Sequence, residues 1–156
     1  MGKSKRCLNY TWKQLEKDCK ILSKDLIILP IDCIVAITTG GLIPAGILAK
    51  MLGIKEVYTI GYCSYRNKKR GKLVNTTQIW DYLMYKTVLL IDDIVDTGGT
   101  ILAAKEEIEK RYNEVVTLAL HYKPHSVFCP HFFAHKTEQW IKYPWEKYEK
   151  VDFIKK

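Results

Sequence analysis

Between residues 92 and 100 the chain reads Asp92-Asp93-Ile94-Val95-Asp96-Thr97-Gly98-Gly99-Thr100. Glycines and threonines at the start of a helix offer free backbone N–H groups and hydroxyls, which together can cradle one phosphate. The acids need a separate reason. A bare phosphate would repel Asp92 and Asp93, whereas sugar hydroxyls and a hard divalent cation that takes oxygen ligands suit them. A sugar phosphate with Mg²⁺ meets both halves of the pattern. Neither G-x-G-x-x-G nor G-x-x-x-x-G-K-[ST] occurs here, so this is not one of the common nucleotide loops. On these residues alone two other readings stay open: acids that merely cap a helix beside glycines that turn the chain, and an acidic pocket of the receiver type.

Three further groups have types that could do chemistry. Arg66, Lys68, Lys69, Arg70 and Lys72 place five positive charges in seven residues with no acid among them. Such a run either holds phosphate groups, on nucleic acid or on a small polyphosphate, or is a solvated loop. The histidines His121, His125, His131 and His135 lie close together with Cys129 among them. They are zinc ligands by type, but H-x₃-H-x₃-C-x-H-x₃-H is no fixed zinc spacing, and Phe132-Phe133 points to a strand whose alternate side chains diverge. These residues are expected around a ligand pocket or at a subunit contact. Lys123, before a proline, and Trp140 complete the set; taken singly they read as a surface lysine and a core aromatic.

The elements that must position these groups follow from periodicity. Thr11-Trp12-Lys13-Gln14 has the form of a capping box, and Leu15, Cys19, Leu22 and Leu26 then recur at helical steps. Cys33 to Ile37 reads as a buried strand ending in Thr38-Thr39-Gly40-Gly41, and Pro44 to Leu52 as a helix stopped by Gly53. Val57 to Ile60 is a further short strand. The polar stretch from Ser64 to Gln78 shows neither period and is expected to be a mobile loop or loose hairpin. Thr87 to Ile91 is a second continuous apolar strand, Thr100 to Tyr112 a helix, and Glu114 to Leu120 another strand. Strands alternating with helices, and lacking polar alternation, predict an α/β fold with a mainly parallel sheet covered on both faces. In such sheets ligands bind at the carboxyl ends of the strands, which is where Asp92 to Thr100 falls.

Composition narrows the classes. At 156 residues one domain spanning 1–156 is expected, and 47% hydrophobic content with ten Tyr and four Trp excludes a disordered chain. The five scattered cysteines form no C-x-x-C pair, which fits reduced thiols and a cytoplasmic location better than a disulfide framework. The longest apolar stretch, Leu26 to Ile37, contains Pro30 and Asp32, so no membrane helix is expected. Met1 to Arg6 lacks an apolar leader core, and Arg6 stands where a myristoylation motif wants Ser or Thr.

The run Val88 to Thr100 resembles the 5-phosphoribosyl diphosphate (PRPP) signature of type I phosphoribosyltransferases, a thirteen-residue pattern. Similarity continues through Tyr10-Thr11-Trp12, Gly40-Gly41-Leu42-Ile43-Pro44, Lys123-Pro124, Trp140-Ile141 and Pro144-Trp145-Glu146. Together, from about residue 10 to 147, these resemble the bacterial xanthine-guanine branch of that family. The resemblance implies the type I phosphoribosyltransferase fold, with a flexible basic loop at about 63–79 and a small C-terminal hood over the base at about 121–147. It implies a purine salvage enzyme that uses Mg²⁺ to move the phosphoribosyl group from PRPP to guanine, xanthine or hypoxanthine. A homodimer or homotetramer is the expected assembly, with no membrane or nucleic-acid partner.

By the same resemblance Asp96, Thr97, Gly98, Gly99 and Thr100 hold the 5′-phosphate, Asp92 and Asp93 the ribose hydroxyls and Mg²⁺, and Asp96 also accepts a proton at purine N7. Thr38, Thr39, Gly40 and Gly41 form the diphosphate loop. This branch usually carries Arg at the position of Thr39, so a cation expected on the leaving group is missing; Lys68, Lys69, Arg70 and Lys72 are candidates to supply it from the long loop. Lys123 faces the 6-oxo group, Trp140 stacks on the base, and the Ile141 carbonyl accepts from a 2-amino group. Lysine only donates, so it serves an oxo group and leaves the amino group of adenine badly paired. Two rival functions stand beside this one. A non-catalytic regulator on the same fold, sensing PRPP and binding nucleic acid, is favoured by Thr39 and the net charge of +8. A phosphoribosyltransferase for a non-purine base gives Trp140 another partner.

Overall fold

The protein is seen in a computed structural model that describes residues 7–64, 73–76, 84, 86–111 and 114–148. Its elements are β1 (Cys7–Asn9), α1 (Trp12–Leu26), β2 (Cys33–Thr38), α2 (Leu42–Leu52), β3 (Val57–Ser64) and β4 (Leu73–Asn75). They continue with β5 (Thr87–Val95), α3 (Gly99–Glu109), β6 (Glu114–Tyr122), β7 (Phe132–Lys136), β8 (Trp140–Lys142) and a 3₁₀ turn at Glu146–Tyr148. Six strands form one sheet in the order β4-β3-β2-β5-β6-β7. All neighbours are parallel except the β3–β4 pair. The α/β fold with a mainly parallel sheet is therefore the one expected.

Continuous apolar strands make sense because both faces are covered. In β2, Ile34 and Ala36 join Leu89 and Ile91 of β5 against Leu15, Cys19, Leu22 and Leu48 from α1 and α2. The alternate residues Cys33, Val35 and Ile37 join Val88 and Leu90 against Ile101, Ala104 and Ile108 of α3. Each side chain of a fully buried strand thus has a core to enter, and each fully buried aliphatic side chain contributes about 1.5–3 kcal/mol relative to exposure. The predicted capping box is present: Gln14 N–H donates to Thr11 Oγ1 at 3.2 Å, and Thr11 N–H donates to Gln14 Oε1 at 2.9 Å.

Several predicted limits need correction. β5 does not stop at Ile91 but runs to Val95, because β6 is also longer than expected and pairs with it as far as Tyr122. Asp92 and Asp93 therefore lie within a strand rather than beyond its end. β3 continues to Ser64, where it gains β4 as an antiparallel partner, so part of the stretch expected as loop or loose hairpin is a hairpin ladder. α2 begins at Leu42 rather than Pro44, since a proline in the first turn has no N–H to lose from the helix. α3 ends at Glu109, short of Tyr112.

The stretch expected as the hood is split. β7 joins the main sheet beside β6, while β8 pairs with β1 in a separate two-stranded parallel sheet. That pairing with a strand near the N-terminus was not legible in Cys7-Leu8-Asn9, three residues with no turn signal or period. Among the described residues no helix is long and apolar enough to cross a membrane.

Candidate active site

The carboxyl ends of β2, β5 and β6 carry the predicted residues to one edge of the sheet. After β5 the chain turns through Asp96, Thr97 and Gly98 into α3. Gly98 sits at φ +90°, a left-handed conformation that favours glycine, and a Cβ there would also meet Ser126 and Phe128. No side chain caps α3, so the N–H groups of its first turn are left to a ligand. A cavity of about 90 Å³ opens here, with Asp92, Val95, Asp96, Thr97, Gly98 and Thr100 in its wall. Gly99 is the first residue of α3 at the same turn.

Asp92 and Asp93 have different surroundings. Asp92 lines the cavity and accepts a 2.9 Å hydrogen bond from Asp93 N–H. The Asp93 carboxylate turns toward the first loop, where it occupies the space a Cβ on Gly40 would need, and the Trp145 side chain beside it favours its charged form. Burial raises both carboxyls above the usual range, Asp92 well above it with the adjacent Asp93 charge adding to the shift. Such a pair gains from a bound cation, which offsets the cost of burying negative charge.

The first loop, Thr38 to Gly41, lies between β2 and α2 and includes a cis Thr38–Thr39 peptide. Thr38 Oγ1 donates to the Ile60 carbonyl at 3.5 Å, so this hydroxyl is held by β3, whereas Thr39 is exposed. Gly41 is required by contact: a Cβ would strike the carbonyls of Ile37 and Ile91. Arg66, Lys68, Lys69, Arg70 and Lys72 lie outside the described residues.

The third segment follows β6. Lys123 N–H donates to the Val95 carbonyl at 2.9 Å, and Val127 N–H to the Thr97 carbonyl at 3.0 Å, which docks this loop on the acidic one. Lys123 is 4% exposed, and its ammonium donates to the Gln139 carbonyl, next to Trp140. Two of its three protons are left for other acceptors. Trp140 is 58% exposed, an open ring face, and Ile141 is buried beside it. The predicted base-pocket residues are thus brought together.

The histidines go to separate partners. His125 Nε2 lies 3.1 Å from Asp96 Oδ1, His131 pairs with Thr117, His135 with Asp18 and His121 with Tyr143. Among the described residues no group of three or more His, Cys, Asp or Glu could hold a metal ion, so these histidines are not gathered around one point. Two site residues had no role in the sequence reading. Tyr143 hydrogen-bonds the Asp93 carbonyl and Trp145 stands by its carboxylate, and their position just after Trp140-Ile141 was the available signal.

Comparison with known proteins gives a consistent result. The family model described as "Phosphoribosyl transferase domain" matches residues 10–149. The chain is 31% identical over 138 residues to xanthine-guanine phosphoribosyltransferase of Chromohalobacter salexigens, covering 87% of this chain and 82% of that protein. It is 34% identical over 146 residues to the protein of that name from Nitratidesulfovibrio vulgaris, with the same shares covered. Among solved structures, a purine phosphoribosyltransferase from Pyrococcus horikoshii superposes with TM-score 0.84 and 32% identity, over 96% of this chain and 99% of that one.

Proposed function

The chain belongs to the phosphoribosyltransferase family, and from that premise we propose that it is a purine salvage enzyme making nucleotides from PRPP and a 6-oxopurine. One observation carries the reading. The loop built to hold a phosphorylated ribose is docked, through Lys123 N–H and the Val95 carbonyl, against the segment in which the buried Lys123 ammonium reaches the Gln139 carbonyl, next in sequence to the exposed Trp140. A regulator that only senses PRPP has less need of such a base pocket.

In the reaction a bond forms from purine nitrogen to ribose C1′ as the bond from C1′ to the diphosphate oxygen breaks. The uncapped start of α3 with Thr97 and Thr100 binds the 5′-phosphate, and Asp92 faces the ribose from the floor of the cavity. Positive charge develops at C1′ as the diphosphate leaves, so donors on the leaving group lower the barrier. Thr39 and the Gly40 N–H are assigned to it, while Gly41, expected as a further donor, has its N–H committed to the Ile37 carbonyl at 2.9 Å; Lys68, Lys69, Arg70 and Lys72 supply the charge that Thr39 lacks. Asp96, exposed at the pocket mouth, accepts the proton released from the purine. Asp92 and Asp93 fit Mg²⁺ by donor type and by the burial that raises their carboxyls, and bound Mg²⁺ supplies charge neutralisation on the diphosphate. Ile141 offers its carbonyl to a 2-amino group. We assign the enzyme to the cytoplasm and expect a homodimer or homotetramer.

The test is nucleotide formation from PRPP and Mg²⁺ with guanine, xanthine, hypoxanthine and adenine in separate reactions, each product followed by chromatography. Turnover is expected with one or more 6-oxopurines. Adenine should be slower by about 5- to 150-fold, the cost of leaving a buried donor unpaired. Equal use of adenine would remove Lys123 from specificity, and PRPP binding without any turnover would return the regulator to first place.

A further inference from the structure

Asp93 is where three segments of the site meet. Its carboxylate lies against Gly40 of the first loop. Its N–H binds Asp92, which lines the phosphate cavity. Its carbonyl and carboxylate are both held from the base side of the site. Tyr143 Oη donates to the Asp93 carbonyl at 3.0 Å, and the Trp145 side chain stands by the carboxylate and favours its charged form. The two rings are themselves stacked, with centroids 4.6 Å apart and planes 12° from parallel.

Tyr143 has little freedom to move independently. It is 4% exposed, its N–H donates to Glu146 Oε2 at 3.2 Å, and it directly follows β8, the strand that carries Trp140. A hydroxyl has one proton, and here it goes to Asp93. The 2.8 Å contact between Tyr143 Oη and His121 Nδ1 is therefore a donation from His121, whose Nδ1 carries hydrogen. His121 is held in turn by stacking on His135 at 5.3 Å, and His135 bonds the buried Asp18 at 2.7 Å. A line of packed, hydrogen-bonded groups thus runs from Asp18 of α1 to the acid beside the phosphate cavity, and it passes through Tyr143, which the chain ties directly to β8 and Trp140.

We propose that Tyr143 and Trp145 are positioning residues that couple occupancy of the base pocket to binding of PRPP, acting through Asp93. The inference rests on the purine phosphoribosyltransferase reading above. A base stacked on Trp140 fixes the segment from Trp140 to Trp145. That fixes the Tyr143 hydrogen bond and the Trp145 contact on Asp93 and, through Asp93, the positions of Asp92 and Gly40. The second ligand then meets a site already ordered by the first, which is positive coupling.

The experiment measures the dissociation constant of PRPP, in Mg²⁺ buffer, with and without saturating 9-deazaguanine, a guanine isostere with carbon where the glycosidic bond would form. Wild-type protein, Tyr143→Phe and Trp145→Phe are compared. Both variants keep an aromatic ring in the stack and delete one hydrogen-bonding group. In the wild type the isostere should tighten PRPP about fivefold or more. In each variant that factor should fall by about two- to tenfold, the net worth of one hydrogen bond, while affinity for either ligand alone changes less. An equal factor in all three proteins, or a factor of one in wild type that binds both ligands, overturns the coupling but leaves the enzymatic reading standing. Wild type that binds neither ligand overturns both. If Tyr143→Phe does not fold, as judged by its melting, Trp145→Phe carries the same test.

Discussion

Asp96 is the side chain from which the chemistry makes its narrowest demand. It is exposed, sits at the turn into α3, and touches His125 at 3.1 Å. Asn in its place keeps the shape and a hydrogen bond to the imidazole but cannot take a proton from the purine. Asp96→Asn is therefore expected to lower kcat with a 6-oxopurine by about 10²- to 10⁴-fold. KM for PRPP should change little, because the phosphate cradle is mostly backbone. Steady-state kinetics separates the two: a loss confined to KM would make Asp96 a binding group. The proton-accepting role of Asp96 is what the family resemblance implies, whereas its place at this turn was legible in the sequence because the motif is local, nine consecutive residues. The roles of Tyr143 and His125 were not, since each depends on a partner 50 or 29 residues away that only the fold supplies.

Elements were legible where their signals are local as well. The capping box placed the start of α1, and unbroken β-branched runs placed β2 and β5. Strand ends were missed because pairing sets them: Asp92 to Val95 look like loop residues until β6 is known to run alongside. Helix α2 offers a sharper check of how sequence and packing interact. Gly41, at its N-cap, has no room for a Cβ, with the Ile37 carbonyl 2.6 Å from where that atom would be. Gly46, on the exposed side of the same helix, would place a Cβ in open space. Gly41→Ala should destabilise by about 1–3 kcal/mol through overpacking, whereas Gly46→Ala should stabilise by about 0.5–1 kcal/mol through helix propensity. For a domain of this size each kcal/mol moves Tm by roughly 2–4 °C, so calorimetry on the two variants resolves opposite signs. A Gly41→Ala protein as stable as wild type would mean that the β2–α2 junction yields, and with it the first loop.

At the scale of the whole molecule, the sheet, α1 and the segment that follows β8 are tied by one buried polar network around His121, which is 1% exposed. Tyr10 donates to Asp18 at 2.6 Å, His135 bonds the same carboxylate, and His121 lies against Tyr10, His135 and Tyr143. Burial, with the neighbouring His135 adding to it, lowers the His121 pKa to about 4, from 6.5 for a free imidazole. The sign of the consequence follows directly. Above pH 6.5 the ring is neutral in both folded and unfolded chains, and its burial carries no penalty from protonation. Between pH 6.5 and 4 the unfolded chain takes up a proton that the folded one refuses, so stability falls by about 1.4 kcal/mol per pH unit, to a total near 3 kcal/mol. Asp92 and Asp93, whose carboxyls are raised, act in the opposite sense, because the folded chain there keeps protons that the unfolded one has lost. Their effect is common to a protein altered only at His121 and cancels in the difference. His121→Asn provides that comparison: its amide can donate to Tyr143 in place of Nδ1–H but does not titrate. Denaturant unfolding of both proteins from pH 4 to 7 should show wild type losing stability more steeply, by up to one proton's worth of slope, with the two curves running parallel above pH 6.5. Parallel curves throughout would mean that the buried ring accepts its proton as readily as a free one, and that the network opens to water well before the protein unfolds.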